Sequence, residues 1–312
     1  MKSSKINFAS WRTKLVLWLV LSLALSLVFF RDFWVSLGTM LSPDWIFSEH
    51  HAAPWGVLGL CGIWLWLKRR DIRADTKFNF AFYTLNFTLG VGLIVAAVLM
   101  PPSRDFMVFQ VLLASLGVFI ILFGRAARLP ALLLGIYGFV VSFPLLIERF
   151  AELPYATGAI KPVMWLLTGV GYPLQSAGQL VHFTSSGGEP ILVTITAACA
   201  GPATMAVFIA LFALMTLDTP LPPKKAVGMF LFGAVGTWLQ SIIRLIILLL
   251  VGYHLGESAM WTAHFWTIYI LFPLWYLLFA YIYFQQTGRK LKMQKEKVRI
   301  KGGEEEALKV AL

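Results

Sequence analysis

The sequence predicts an all-α polytopic membrane protein of about eight transmembrane helices, with a re-entrant or interfacial helix and a short outer β-hairpin inserted past its middle. Three observations carry this expectation. First, 59% of the 312 residues are hydrophobic and only 13% are charged, with 12 Trp and 25 Phe, whereas a soluble domain is about half apolar and about a quarter charged. Second, eight apolar runs approach the ~20 residues that cover a ~30 Å hydrocarbon core. Third, Lys and Arg are sorted into alternate loops, as topology requires. The net charge of +11 is thereby explained by orientation, and implies membrane lipids rather than nucleic acid as the surroundings.

Taken in order, the basic N-terminus (Lys2, Lys5, Arg12, Lys14) precedes the run Leu15–Phe30, which no small-residue cleavage site follows. It reads as a retained first span. Ala53–Leu67, Phe80–Met100, Phe106–Phe123 and Leu129–Ile147 follow, so residues 1–147 form a five-span region. Ala200–Leu217, Val227–Val251 and Ala263–Phe284 make a three-span region over residues 199–284. Ala53–Leu67 is short and needs its flanks to cross. With a cytoplasmic N-terminus, all Lys and Arg except Arg31, Arg104, Arg149, Lys161 and Arg244 fall on the inner side. Eight spans in the plasma membrane, with both termini cytoplasmic, satisfy that bias. Residues 285–312 are then a basic cytoplasmic tail, whose end, Gly302–Leu312 with Glu304-Glu305-Glu306, reads as disordered.

Residues 148–198 face outward in this scheme. Within them, Pro162–Leu174 is apolar but only 13 residues long and carries Gly169, Gly171 and Pro173, which suits a re-entrant or interfacial helix. Gln179–Phe183 and Ile191–Thr196 alternate or are β-branched and flank Ser185-Ser186-Gly187-Gly188, the pattern of a hairpin with a glycine turn. Non-helical backbone at a membrane must be covered by protein or water, so the hairpin is expected to wall a cavity.

The hairpin delivers the chain to Ala198-Cys199-Ala200-Gly201-Pro202, where an extended segment becomes a helix with glycine and proline in its first turn. Unpaired N–H groups and the positive helix end favour a thiolate there. Cys61 lies in an apolar run and reads as a buried filler. Arg244 sits in the otherwise apolar Leu239–Ile247, where a guanidinium costs roughly 2.5–3.5 kcal/mol on insertion scales. Snorkelling is the plain explanation, but outer helix ends are depleted of basic residues, which favours a partner in a cavity. His264 stands at the outer end of the last span. Cys199, Arg244 and His264 thus come from three helices at one depth, supplying a nucleophile, a proton carrier and an electrostatic stabiliser.

These residues, in this order and spacing, resemble the exosortase/archaeosortase family of polytopic membrane cysteine transpeptidases. The resemblance covers roughly Gly178–Phe284; the first five spans are only generically similar. Family members commonly have Ser or Thr where this chain has Ala200, and Asn where it has Ser241. Archaeosortases often carry a second Arg at the third position, so His264 is more like exosortases. The resemblance implies secreted substrates bearing a C-terminal short motif, an apolar helix and a basic tail. It also implies a thioester on Cys199 and an amine acceptor on a lipid, glycan or other surface component. Cys199, Arg244 and His264 are then the catalytic residues, and Thr196, Ser241 and His254 the candidates for substrate contact. The reaction calls for no cofactor and no metal. Two other classes remain open in the sequence. All five histidines (His50, His51, His182, His254, His264) fall outside, as an outer-face zinc hydrolase would require, although no H-E-x-x-H spacing is present. An intramembrane Arg also occurs in transporters, but no chain of ionisable residues crosses the bundle.

Overall fold

A computed structural model gives the architecture and describes residues 11–46, 48, 51–74, 83–101, 103–104 and 106–311. Of the positions singled out above, Lys2, Lys5, His50, Phe80 and Leu312 lie outside the described residues. The chain divides into two compact units, Met1–Leu145 and Leu146–Leu312.

In the first unit, every predicted apolar run contains a helix. These are α1 (Trp11–Phe29), α4 (Ala52–Leu67), α6 (Tyr83–Leu99), α7 (Met107–Phe123) and α8 (Arg128–Phe150). The short helices α2 (Arg31–Met40), α3 (Pro43–Ile46) and α5 (Arg69–Ala74) connect them. α6 and α7 cross where Gly90 and Gly117 face each other, each leaving no room for a methyl group beside the other's carbonyl oxygen. Small residues at such a crossing let two apolar helices approach closely in lipid. α1 is tied to α7 by Trp18 Nε1, which donates to the Ser115 carbonyl at 3.0 Å. A 3₁₀ turn over Gly124–Ala127 separates α7 from α8, with Gly124 at φ +58°.

The second unit carries the sheet and, among the described residues after α8, four long helices. α9 (Glu152–Gly169) is a continuous 18-residue helix, starting ten residues before the predicted Pro162. Its buried residues Ala156, Ala159, Ile160, Val163, Met164 and Leu167 recur every three to four positions, the stripe of a helix packed on one face. The predicted hairpin is part of a three-stranded antiparallel sheet, β1 (Gln175–Ala177), β2 (Leu180–Thr184) and β3 (Pro190–Thr194), in the order β1-β2-β3. α10 (Pro202–Asp218), α11 (Pro223–Leu255) and α12 (Glu257–Ala311) follow. α12 also corrects the disordered end expected for the tail: the chain stays helical to Ala311, where Glu, Ala, Leu and Lys are all strong helix formers.

Four helical stretches among the described residues are long and apolar enough to cross a membrane: Trp11–Phe29, Met107–Phe150, Pro223–Leu255 and Glu257–Thr287. Ala52–Leu67, Thr84–Leu99 and Pro202–Asp218 are shorter apolar helices.

The core of the second unit explains how the sheet is held. Val181, Phe183, Ile191 and Ile195 pack with the α9 stripe and with Ile242, Leu245, Leu248 and Leu249 of α11. Ser186 N–H donates to the Tyr253 carbonyl at 2.8 Å, fixing the β2–β3 turn to the end of α11. α10, α11 and α12 are locked by glycines with no spare volume: Gly233 lies against Phe208 and Phe279, and Gly236 against Trp275. The Tyr276 hydroxyl donates to the Thr204 carbonyl at 2.6 Å.

Candidate active site

Cys199 follows β3 by five residues and occupies a 3₁₀ turn, Ala198–Ala200, ahead of α10. The turn is closed by Ala200 N–H donating to the Ala197 carbonyl at 2.9 Å. Gly201 then adopts φ +91° and caps α10, with Pro202 in the first helical position. A proline there loses no helical hydrogen bond. The sequence placed Gly201 and Pro202 inside the helix's first turn; the left-handed Gly201 instead separates the cysteine turn from the helix. Glycine is required twice over, because a Cβ at 201 would also strike the hydroxyls of Ser241 and Thr204. The thiol is half-buried, and Thr196 Oγ1 lies 3.8 Å from Sγ in donating geometry.

Arg244 and His264 meet directly. Arg244 is 2% exposed and is among the largest fully buried side chains of the described residues. Its Nη2 lies 3.0 Å from Nε2 and 3.2 Å from Nδ1 of His264. A guanidinium only donates, so whichever ring nitrogen takes this bond offers a lone pair, and the hydrogen of the neutral ring sits on the other. His264 is itself buried. It lies two turns inside α12 rather than at its start, because the helix begins at Glu257.

Cys199 and His264 line one small cavity, about 30 Å³, with Thr194, Leu248, Met260 and Trp261 among its other walls. That volume admits a water molecule or two but not a peptide. The walls are residues that sequence reasoning missed. Trp261 stands edge-on to His264 at 5.6 Å, and its Nε1 donates to Glu257 Oε1 at 3.2 Å. The only available signal was spacing, since Glu257, Trp261 and His264 recur at four and three residues on α12.

The other candidates are placed differently. Thr196 adjoins the thiol. Ser241 is buried one turn before Arg244; its hydroxyl donates to the Thr237 carbonyl at 3.3 Å, and its side chain backs Gly201. His254 lies ten residues, about 15 Å of helix, beyond Arg244. It is exposed there, with Nε2 3.2 Å from the Tyr172 hydroxyl. Among the described residues, no three His, Cys, Asp or Glu side chains gather into a metal-binding group.

Comparison with known proteins adds one finding. The sequence model of the transmembrane exosortase family matches residues 45–281, well over half of the chain. No curated protein and no solved structure matches it.

Proposed function

The chain belongs to the transmembrane exosortase family, and on that premise we propose that it is a membrane cysteine transpeptidase with Cys199 as nucleophile, His264 as proton carrier and Arg244 as oxyanion stabiliser. The observation that carries this reading is the buried Arg244–His264 contact, 3.0 Å long, beside a cavity that also holds the only half-buried thiol among the described residues. Arg244 first gives up its bond to the unprotonated nitrogen of His264; the thiol of Cys199 passes its proton to the lone pair so freed, and the thiolate attacks the scissile carbonyl. The ring then bears hydrogens on both nitrogens and no longer accepts from the guanidinium, which turns to donate to the forming oxyanion. Collapse of the tetrahedral intermediate expels the amine, which takes the proton from His264 and leaves the acyl group on Sγ. An acceptor amine attacks this thioester, gives its proton to His264 and restores the thiol.

The substrates are secreted proteins with a C-terminal motif, an apolar anchor helix and a basic tail, and the acceptor is an amine on a lipid, glycan or other surface component. The protein crosses the membrane eight times with both termini inside and the site outside, the orientation that the Lys and Arg distribution favours.

In cells that produce the protein, Cys199→Ala should cause secreted proteins to accumulate with anchor helix and basic tail uncut, as read by mass spectrometry of the membrane fraction. Unchanged cleavage would overturn the reading. Cysteines introduced at Ser186 and Glu257 should label from outside, and one at Lys224 only after permeabilisation; the reverse pattern would overturn the orientation.

A further inference from the structure

The first unit contains a second cavity that the transpeptidase reading does not use. It measures about 520 Å³ and lies between α1, α4, α7 and the start of α8, inside the range of roughly 300–1,000 Å³ typical of ligand sites. Leu58, Leu116, Phe119 and Leu133 give it an apolar interior. Two polar groups of its wall are already engaged. The Cys61 thiol lies 3.7 Å from the Leu133 carbonyl, in donating geometry, and the Ser115 hydroxyl donates to Ser22 at 3.2 Å. α4 turns an open side toward the space: a Cβ at Gly62, one of the lining residues, would meet nothing within 4 Å.

One lining residue is different. Arg69 lines the cavity two residues after the apolar run of α4 stops at Leu67, at the level where a membrane helix meets the headgroups. Its guanidinium lies 4.3 Å above the Trp66 ring, and Nη1 donates to the Trp66 carbonyl at 3.3 Å. Its other N–H groups have no protein partner among the described residues, and the side chain is exposed. Trp11 and Trp66 line the same cavity, amphipathic rings of the kind that gather at the interface.

An apolar space with a planar cation in its wall suits an anionic lipid, and basic pockets between membrane helices bind such headgroups. We propose that this cavity seats an acyl chain of one anionic phospholipid, whose phosphate is held by the Arg69 fork. The site stands independently of the transpeptidase reading.

The test is native mass spectrometry of the full-length protein in detergent, incubated with equimolar phosphatidylglycerol and phosphatidylcholine of identical chains. One phosphatidylglycerol should be retained in preference to phosphatidylcholine by roughly fivefold, the factor a single basic residue at a membrane surface gives. Arg69→Gln, a change at an exposed side chain, should erase the preference. Gly62→Phe should fill the cavity and abolish retention of both lipids while the thermal unfolding temperature holds. Inorganic phosphate should displace neither. Equal retention of the two lipids, an unchanged preference in Arg69→Gln, full retention in Gly62→Phe, or displacement by phosphate would each overturn the proposal.

Discussion

Two cavities of this protein, one in each unit, teach opposite lessons about size. The wide one, about 520 Å³ in the first unit, is walled by side chains of spans that any membrane protein could have. The narrow one in the second unit, about 30 Å³, brings Cys199 and His264 together, with Arg244 in contact behind. The cysteines divide the same way. Cys61 is a buried wall residue in donating geometry to a backbone carbonyl, whereas Cys199 is half-buried on a 3₁₀ turn. A buried guanidinium is expensive in an apolar bundle, and it is this cost, not cavity volume, that supports the proposed site in the second unit.

The sharpest way to break this contrast is to keep the charge and remove the geometry. Arg244→Lys retains a cation but loses the planar fork, and cleavage of a sorting-signal substrate should fall on the order of 10²–10³-fold, as when an oxyanion donor is removed. Protein recovered from membranes should stay near wild type. Activity close to wild type would reduce Arg244 to a structural cation.

The next effect is on stability, and its sign should differ between the units. Gly201→Ala forces a side chain into φ +91° and into the Ser241 hydroxyl, and should cost on the order of 1–3 kcal/mol in thermal unfolding. Gly62→Ala meets open space in the middle of α4 and should gain up to about 1 kcal/mol from helix propensity. The same sign at both positions would remove the distinction between a tight site turn and an open helix face.

Smallest is the change at His254, which is exposed and packs on Tyr172 away from the thiol cavity. His254→Ala should leave cleavage near wild type and shift stability by no more than about 0.5 kcal/mol. A large loss of cleavage would extend the substrate path to the end of α11.

What the sequence disclosed follows from which residues are rare in it. The helices could be read from apolar runs, because lipid-facing chain has little freedom of composition. Cys199, Arg244 and His264 stood out because ionisable and nucleophilic groups are scarce in such runs. The cavity walls could not be read, since nothing distinguishes Leu248 or Met260 chemically from dozens of other apolar residues. β1 was missed because Gln175–Ala177 is three residues long and exposed; it exists by pairing with β2 across Gly178, at φ +64°. The start of α9 was hidden by Pro154, Gly158 and Lys161, although its buried stripe runs through them. Ser241, a candidate for substrate contact through the family resemblance, packs against Gly201, a contact between two helices that no local pattern announces.

The central claim is that an acyl group passes through Cys199. Cleavage carried out in the presence of hydroxylamine, with the new C-terminus of the released protein read by mass spectrometry, tests this most directly. A thioester is intercepted by hydroxylamine, so the account predicts a C-terminal hydroxamate that depends on Cys199 and not on Cys61. A free carboxylate as the sole product, or a hydroxamate still formed by Cys199→Ala, would contradict it.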